Sequence, residues 1–501
     1  MNLSRQELTP RQLAGQLIMI RMLGTELDAD TAQFLRENRI RAVCLFRKNM
    51  VDAAQLCKFT ADLRAVMGPN ALIAIDQEGG AVVRAAWLPA PPAGMGLGAA
   101  DDEALAHAVG AAVARGVKSL GFNWNFAPVL DINNNPDNPV IAERSFGADP
   151  QRAAELALAW MEGSLGEGVA CCVKHFPGHG DTHVDSHCDL PTVDKPLATL
   201  EQLEFAAFRL ALPKAPAVMT AHIVYPALDP QYPATMSRRI LTDLLRADWQ
   251  YRGVVITDGM DMQAIAGRFG VAKAAVLALE AGADMVMALG TRATQQQTLD
   301  ALSEAIAAGH IAADDLHARL QRLDELASTY PCVNRHYGRD AEDRLLMAEA
   351  WRRGLTALRN PTRPLRGTKV RLVARADVVS DGVSEAGVPA ADIAALLRRF
   401  YDVELVTFGD AEAFDWNALP ADGRVVILAS TSRLRYGPRV RSSWRPDLHL
   451  ALWSPYQALD IAAPALLTYG FVPPALEAIA DWLTGKLEAK GKCPVAGFDP
   501  A

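Results

Sequence analysis

Short apolar runs alternate with longer amphipathic stretches along the first two thirds of the chain. The runs are Leu17–Ile20, Ala42–Phe46, Leu72–Ile75, Asn125–Ile132, Val169–Val173, Ala217–Thr220, Gly253–Ile256 and Asp284–Leu289. Apolar runs this short, bounded by polar or turn residues, read as buried strands. Helical patterns fill most of the gaps: Ala29–Glu37, Asp52–Met67, Asp101–Leu120, Pro150–Glu167, Leu200–Leu212, Arg238–Ala247 and Val271–Ala281. Two more, Thr294–Ala308 and Ala312–Ala327, follow the last run. This alternation predicts a (β/α)8 TIM-type barrel, with a doubly wound open sheet as the competitor.

The polar residues favour the barrel. Asp76, the Asn133–Asn135 run, Lys174-His175, His222 and Asp258 each stand at or just past the C-terminal end of a different run. Barrel enzymes assemble their sites from that face. An open sheet gathers its ligand groups near one switch point.

The pattern changes near Tyr337. Ala341–Arg359 reads as a long amphipathic helix leading out of the barrel. Beyond it, Lys369–Ala374, Val403–Thr407, Val425–Ala429, Leu448–Trp453 and Ala465–Tyr469 read as strands. Asp392–Tyr401 and Pro474–Lys486 read as helices. Two units are expected: a barrel over 1–336, then a linker helix and a smaller α/β sandwich-like domain over 337–501. The second has no comparable cluster of polar groups, so its expected role is to pack against the barrel and support its rim.

Composition removes several function classes. The chain has 501 residues and is half hydrophobic, enough for a large core. Lys+Arg 50 against Asp+Glu 58 gives a net charge of −8 with no basic stripe, which argues against a nucleic-acid surface. No apolar run reaches the roughly 18 residues of a membrane helix. Met1 to Arg11 holds no apolar leader, and the seven cysteines are scattered; both lead to an expectation of a cytoplasmic protein. The adjacent Cys171 and Cys172 read as small core residues.

The chemistry concentrates in Lys174-His175-Phe176-Pro177-Gly178-His179-Gly180-Asp181-Thr182-His183-Val184-Asp185-Ser186-His187. Its glycines and proline make it a loop, hung on a buried strand. His175, His179, His183 and His187 recur every four residues, which on a helix would suggest metal. Pro177, Gly178 and Gly180 argue against a helix there. Within Asp185-Ser186-His187, a carboxylate two residues from an imidazole can hydrogen-bond it, fix its tautomer and raise its pKa. Such a pair is a general acid/base. Ser186 lacks the flanking glycines of a nucleophile elbow.

Val254-Val255-Ile256-Thr257-Asp258 delivers a carboxylate to the barrel mouth, as a nucleophile, base or metal ligand. The plain alternative is a helix cap, for which Asp261 is a second candidate. Asp76-Gln77-Glu78-Gly79-Gly80, followed by Arg84, combines a carboxylate and a guanidinium, a set that suits vicinal sugar hydroxyls. A surface ion pair is the alternative. Arg144, in Glu143-Arg144-Ser145-Phe146-Gly147, carries the same ambiguity.

Together these stretches, with Asn134-Asn135-Pro136-Asp137-Asn138-Pro139, resemble glycoside hydrolase family 3 and its bacterial β-N-acetylglucosaminidase branch. The resemblance spans roughly residues 10–330, with its pieces in the family's order. The tail from about 340 looks like a shortened second domain of that family. The resemblance implies retention of the β configuration, with Asp258 as nucleophile. It implies that His187, partnered by Asp185, is the acid/base on a mobile loop. Asp76, Arg84, Arg144, Lys174 and His175 match residues that hold the terminal sugar.

The implied function is an exo-acting β-glycosidase removing terminal N-acetylglucosamine or glucose from small β-linked glycosides or muropeptide-like saccharides. No cofactor or metal is implied. A carboxylate base repels an incoming anion and an imidazole does not, so inorganic phosphate is a second candidate acceptor. The branch includes phosphorylases, which release sugar-1-phosphate. A metal-dependent hydrolase using the histidine loop and a non-catalytic carbohydrate-binding protein are the competing readings.

Overall fold

A computed structural model describes residues 8–187, 189–380 and 382–498. Residues 1–7, on which the leader reading partly rests, and Cys188 lie outside the described residues.

The eight barrel strands are β1 (Ile18–Arg21), β2 (Ala42–Cys44), β3 (Leu72–Ile75), β4 (Trp124–Asn125), β5 (Ala170–Phe176), β6 (Ala217–Thr220), β7 (Val254–Gly259) and β8 (Met285–Ala288). They close in sequence order, β8 pairing back onto β1, and every pairing is parallel. The chain is a TIM-type barrel, and the open sheet is set aside. Continuous apolar runs are required because the strands are covered on both faces; β2, β3, β6 and β8 are buried at every residue.

Aspartates start several of the outer helices. Asp28, Asp52, Asp102 and Asp149 each accept a hydrogen bond from a backbone N–H in the first turn of the helix that follows. Helices Glu103–Ser119 and Pro150–Gly166 approach closely through glycine. A Cβ on Gly110 would lie 1.9 Å from the Trp160 carbonyl oxygen, so no larger residue fits between these backbones.

The larger departures from the sequence pattern have local reasons. The run Asn125–Ile132 is a strand only at its start, because Pro128 has no N–H to continue the ladder. Beyond it the chain rejoins β5 through a single bridge, Val129 to Lys174. The segment Leu200–Leu212 splits at Leu203 into two helices, where Glu204 turns inward to Lys195, 2.5 Å away. The helix expected over Ala341–Arg359 runs Asp340–Gly354, and Thr356–Leu358 becomes a strand instead.

That strand, β9 (Thr356–Leu358), opens a second sheet with β10 (Lys369–Arg375), β11 (Asp402–Phe408), β12 (Val425–Ser430), β13 (Leu448–Ala451) and β14 (Ala465–Leu467). The order is β9-β14-β13-β12-β10-β11, parallel except for the β9–β14 pair. This sheet joins the barrel through buried polar contacts. Glu143, fully buried, accepts from Arg433 and from Trp453 Nε1, each at 2.8 Å. Asn133 Nδ2 donates to Tyr456 Oη at 2.5 Å.

Cys44, Cys57, Cys171, Cys172, Cys332 and Cys493 are free thiols, and Cys171 and Cys172 are core residues of β5. Among the described residues no helix is long and apolar enough to cross a membrane.

Candidate active site

A pocket of about 370 Å³ opens at the C-terminal ends of the barrel strands. Of the residues singled out in the sequence, Asp76, Arg84, Arg144, Lys174, His175, His187 and Asp258 all line it. Asp185 stands behind His187. The fold therefore gathers strand ends and loops more than 180 positions apart, from Asp76 to Asp258, into one cavity.

One wall is a lattice of ion pairs. Lys174, at the buried end of β5, places its Nζ 2.7 Å from Asp76 and 2.6 Å from Glu78. Arg144 grips both oxygens of Glu78, at 2.8 and 2.9 Å. Two cations outweigh burial at Glu78 and hold its carboxyl far below the usual carboxylate range. Arg84 reaches Asp76 at 3.8 Å and Glu385 at 2.9 Å.

Glu78 and Glu385 were not among the singled-out site residues. Glu78 lies inside a quoted motif, one residue beyond Gln77, and pairs with a cation 66 positions away. Glu385 belongs to the second domain, as do Ser380, Gly382 and Val383, which also line the pocket. That domain does more than support the rim.

Asp258 occupies the end of β7. Gly259 N–H donates to its Oδ1 at 2.7 Å. Burial alone would raise its pKa; the rings of His175, His222 and His187, with that N–H, reverse the effect and bring it to about 2. The side chain is a permanent anion near neutral pH. It caps no helix, because the next helix begins at Gln263. Asp261 does not cap that helix either: Met262 holds the cap position, without a side-chain bond, and Asp261 lines the pocket. His222 sits beneath, its Nε2 donating to the Gly259 carbonyl at 2.9 Å and its Nδ1 2.8 Å from the Thr235 hydroxyl.

The histidine loop resolves into separate pairs. His175 Nδ1 meets Asp131 Oδ2 at 2.7 Å, and the same carboxylate accepts the backbone N–H of His175 and His179. Asp131 escaped the sequence reading because it lies within a run taken for a strand. His179 contacts Ser186 Oγ at 3.1 Å and Thr182 Oγ1 at 2.9 Å. Burial lowers its pKa to about 4, so it is a neutral ring. Ser186 thus has an imidazole neighbour, but that imidazole leans on a hydroxyl and not on a carboxylate, which leaves the triad incomplete. His183 lies 3.2 Å from Asn135. Among the described residues no three His, Cys, Asp or Glu side chains converge as a metal site.

His187 Nδ1 lies 2.8 Å from Asp185 Oδ1, which also accepts the His187 backbone N–H at 2.9 Å. Burial works against a charged ring, but the Asp185 bond and the charges of Asp185 and Asp258 prevail, and the imidazole pKa rises. The Asp185 carboxyl is lowered in turn by His187 despite its own burial.

The loop is held from two sides. Gly180 presses against the Ile132 carbonyl oxygen, where a Cβ would lie 1.7 Å away. The N–H of Ala264, in the helix after Asp258, donates to the Ser186 carbonyl at 3.3 Å, and Arg268 of that helix pairs with Asp189 at 3.0 Å.

Comparison with known proteins agrees with this fold. The family model described as Glycosyl hydrolase family 3 N terminal domain matches residues 10–326. The chain is 34% identical to Beta-hexosaminidase A of Pseudoalteromonas piscicida over 369 residues, 65% of this chain and 62% of that protein. It therefore spans less than two thirds of that relative's length. It is 35% identical to a Beta-hexosaminidase of Idiomarina loihiensis over 289 residues, 57% of this chain and 87% of that one. The solved structure of a glycoside hydrolase family 3 beta-N-acetylglucosaminidase from Paenibacillus sp. aligns with a TM-score of 0.87 at 33% identity, covering 99% of this chain and 100% of that one.

Proposed function

Because this chain belongs to glycosyl hydrolase family 3, we propose that it is a retaining exo-acting β-glycosidase that removes a terminal β-linked N-acetylglucosamine. The carrying observation is a charged Asp258 and an Asp185-supported His187 on one pocket, beside a wall of carboxylates and cations. Names of relatives that act on hexosaminides support the choice of sugar over glucose.

In this reading Asp258 attacks the anomeric carbon, and the C–O bond to the leaving group breaks. Protonated His187 gives its proton to the departing oxygen. An anion beneath the ring stabilises the positive charge that develops there. Neutral His187 then takes a proton from water, whose oxygen displaces Asp258 and regenerates the free carboxylate. Asp185 fixes the tautomer that leaves Nε2 for the proton transfer. Asp76, Arg84, Arg144, Lys174 and His175 bind the sugar.

The imidazole in the acid/base role carries a second reading. An imidazole adds no negative charge of its own against an incoming phosphate, as a carboxylate base would, and attack on the same intermediate releases sugar-1-phosphate. One experiment separates the outcomes: aryl β-N-acetylglucosaminide and aryl β-glucoside, each with and without inorganic phosphate. The proposal predicts free N-acetylglucosamine from the first substrate at every phosphate level. Sugar-1-phosphate rising with phosphate moves the protein to the phosphorylase reading, and activity lost to a chelator and restored by metal moves it to a metal-dependent hydrolase. Mass spectrometry of the protein after a slow 2-fluoro glycoside should show the sugar on Asp258.

A further inference from the structure

After β10, residues 376–380 and 382–389 leave the second domain, and Ser380, Gly382, Val383 and Glu385 among them line the pocket at the barrel mouth. This loop is docked there. Glu385 N–H donates to the Ala81 carbonyl at 2.8 Å. Val383 packs with Val82, Val129, Val140 and Ile141 of the barrel side. Gly387 N–H bonds the Val378 carbonyl at 2.9 Å and Ser380 Oγ bonds the Ser384 carbonyl at 2.6 Å, so the loop also braces itself.

This scaffold presents one carboxylate to the pocket. Glu385 is 30% exposed and bonds Arg84 Nη1 through Oε1 alone. Its Oε2 has no hydrogen-bond donor among the described residues. The Arg84 side chain is 8% exposed, and its buried Nε has no partner among the described residues. The order along the wall is Asp76, Arg84, Glu385: acceptor, donor, acceptor. Neighbouring hydroxyls on a pyranose ring each donate and accept, so they match such a row.

Charge points the same way. Asp76, Glu78 and Glu385 face Lys174, Arg84 and Arg144, three carboxylates against three cations. Without Glu385 the wall would carry an excess positive charge. A neutral sugar is the ligand that a balanced wall of this kind suits.

Building on the glycosidase reading above, we infer that Glu385 of the second domain is a specificity-determining residue of the sugar subsite. Its Oε2 accepts a hydrogen bond from one hydroxyl of the terminal sugar, and so requires that hydroxyl to be present and unsubstituted. The requirement makes cleavage exo, because a further sugar or an acyl group on that oxygen would collide with a carboxylate held in place by Arg84 and Ala81.

The test compares aryl β-N-acetylglucosaminide with its 3-, 4- and 6-deoxy analogues, on the parent and on Glu385→Ala and Glu385→Gln. A hydrogen bond to a charged acceptor predicts that Glu385→Ala lowers kcat/KM on the full sugar roughly ten- to a hundred-fold. On one deoxy analogue, already poor with the parent, the same substitution should cost almost nothing. Glu385→Gln keeps an acceptor oxygen and should lose less. Equal losses on every analogue, or no loss on any, overturn the inference while leaving the glycosidase reading intact. Calorimetric binding of N-acetylglucosamine and its deoxy forms gives the same comparison without turnover. A parent that neither cleaves nor binds these sugars overturns both. Unchanged thermal unfolding of the two variants confirms that any loss belongs to the site.

Discussion

The two sides of the pocket are built on opposite plans. The wall of Asp76, Glu78, Arg84, Arg144 and Lys174 is cross-linked: most of these charges touch two partners, and the cations are nearly all buried. Asp258 and His187 are lightly tied. Asp258 accepts one backbone N–H, and His187 leans on one carboxylate. A group that must form and lose a bond, or take and return a proton, cannot be saturated with partners. A group that must hold a sugar's shape gains from being fixed before the sugar arrives. The difference fits the proposed division, in which the lattice binds the sugar and the sparsely bonded pair makes and breaks bonds.

The strongest way to break this division is Asp258→Asn. It keeps the shape and removes the charge, and kcat/KM on an aryl glycoside should fall by about 10⁴-fold or more. A fall below tenfold would remove Asp258 from the reacting side.

His187→Ala comes next, at roughly 10²- to 10⁴-fold with a poor leaving group. With an activated aryl leaving group, which needs no proton, the loss should be much smaller. Equal losses on both substrates would place His187 with the lattice.

The lattice itself is tested by Lys174→Met. Two carboxylates, one of them buried, would lose their shared cation, at a cost of about 3–5 kcal/mol in folding stability, read from denaturant unfolding. Asp258→Asn should leave stability far less affected, and the contrast between the two variants is the comparison stated as a measurement.

A subtler effect comes from Asp185→Asn. The raised pKa of His187 has Asp185 as its principal support. The first step of the proposed mechanism needs the protonated ring, so activity should fall as pH rises through that pKa, and the variant should move this limb to lower pH. The stability linked to the raised pKa is complete below the ordinary imidazole value of about 6.5 and is lost as pH rises through the folded value. Asp258 behaves oppositely: its contribution holds above the ordinary carboxylate value and disappears only as pH falls toward about 2. Arg268→Ala should have the smallest effect, a few-fold on kcat, since its pair with Asp189 is well exposed.

Much of this site is legible without coordinates. Asp76, Lys174, His175 and Asp258 stand out because an apolar run ends in a polar group, and a parallel barrel brings such ends to one face. What escaped did so for separate reasons. Asp131 lies within an apolar run that Pro128 prevents from being a strand. Asp261 has the composition of a cap, yet the helix begins too late for it to serve. Glu385 comes from another domain, with no local pattern to mark it, and only three-dimensional docking of a loop brings it to Arg84. Alternation along the chain foretells which strand ends meet; it carries no information on which distant loop will lie over them.

Glu143 sits at the seam of the two domains, with Arg433 and Trp453 from the far side as its partners. Were residues 337–501 trimmed away, that carboxylate would keep its place in the barrel and lose the cation that makes it tolerable there. The barrel is thus the senior partner in chemistry but not a free agent in folding: genetic shortening to the catalytic half alone should demand a compensating neutral residue at position 143.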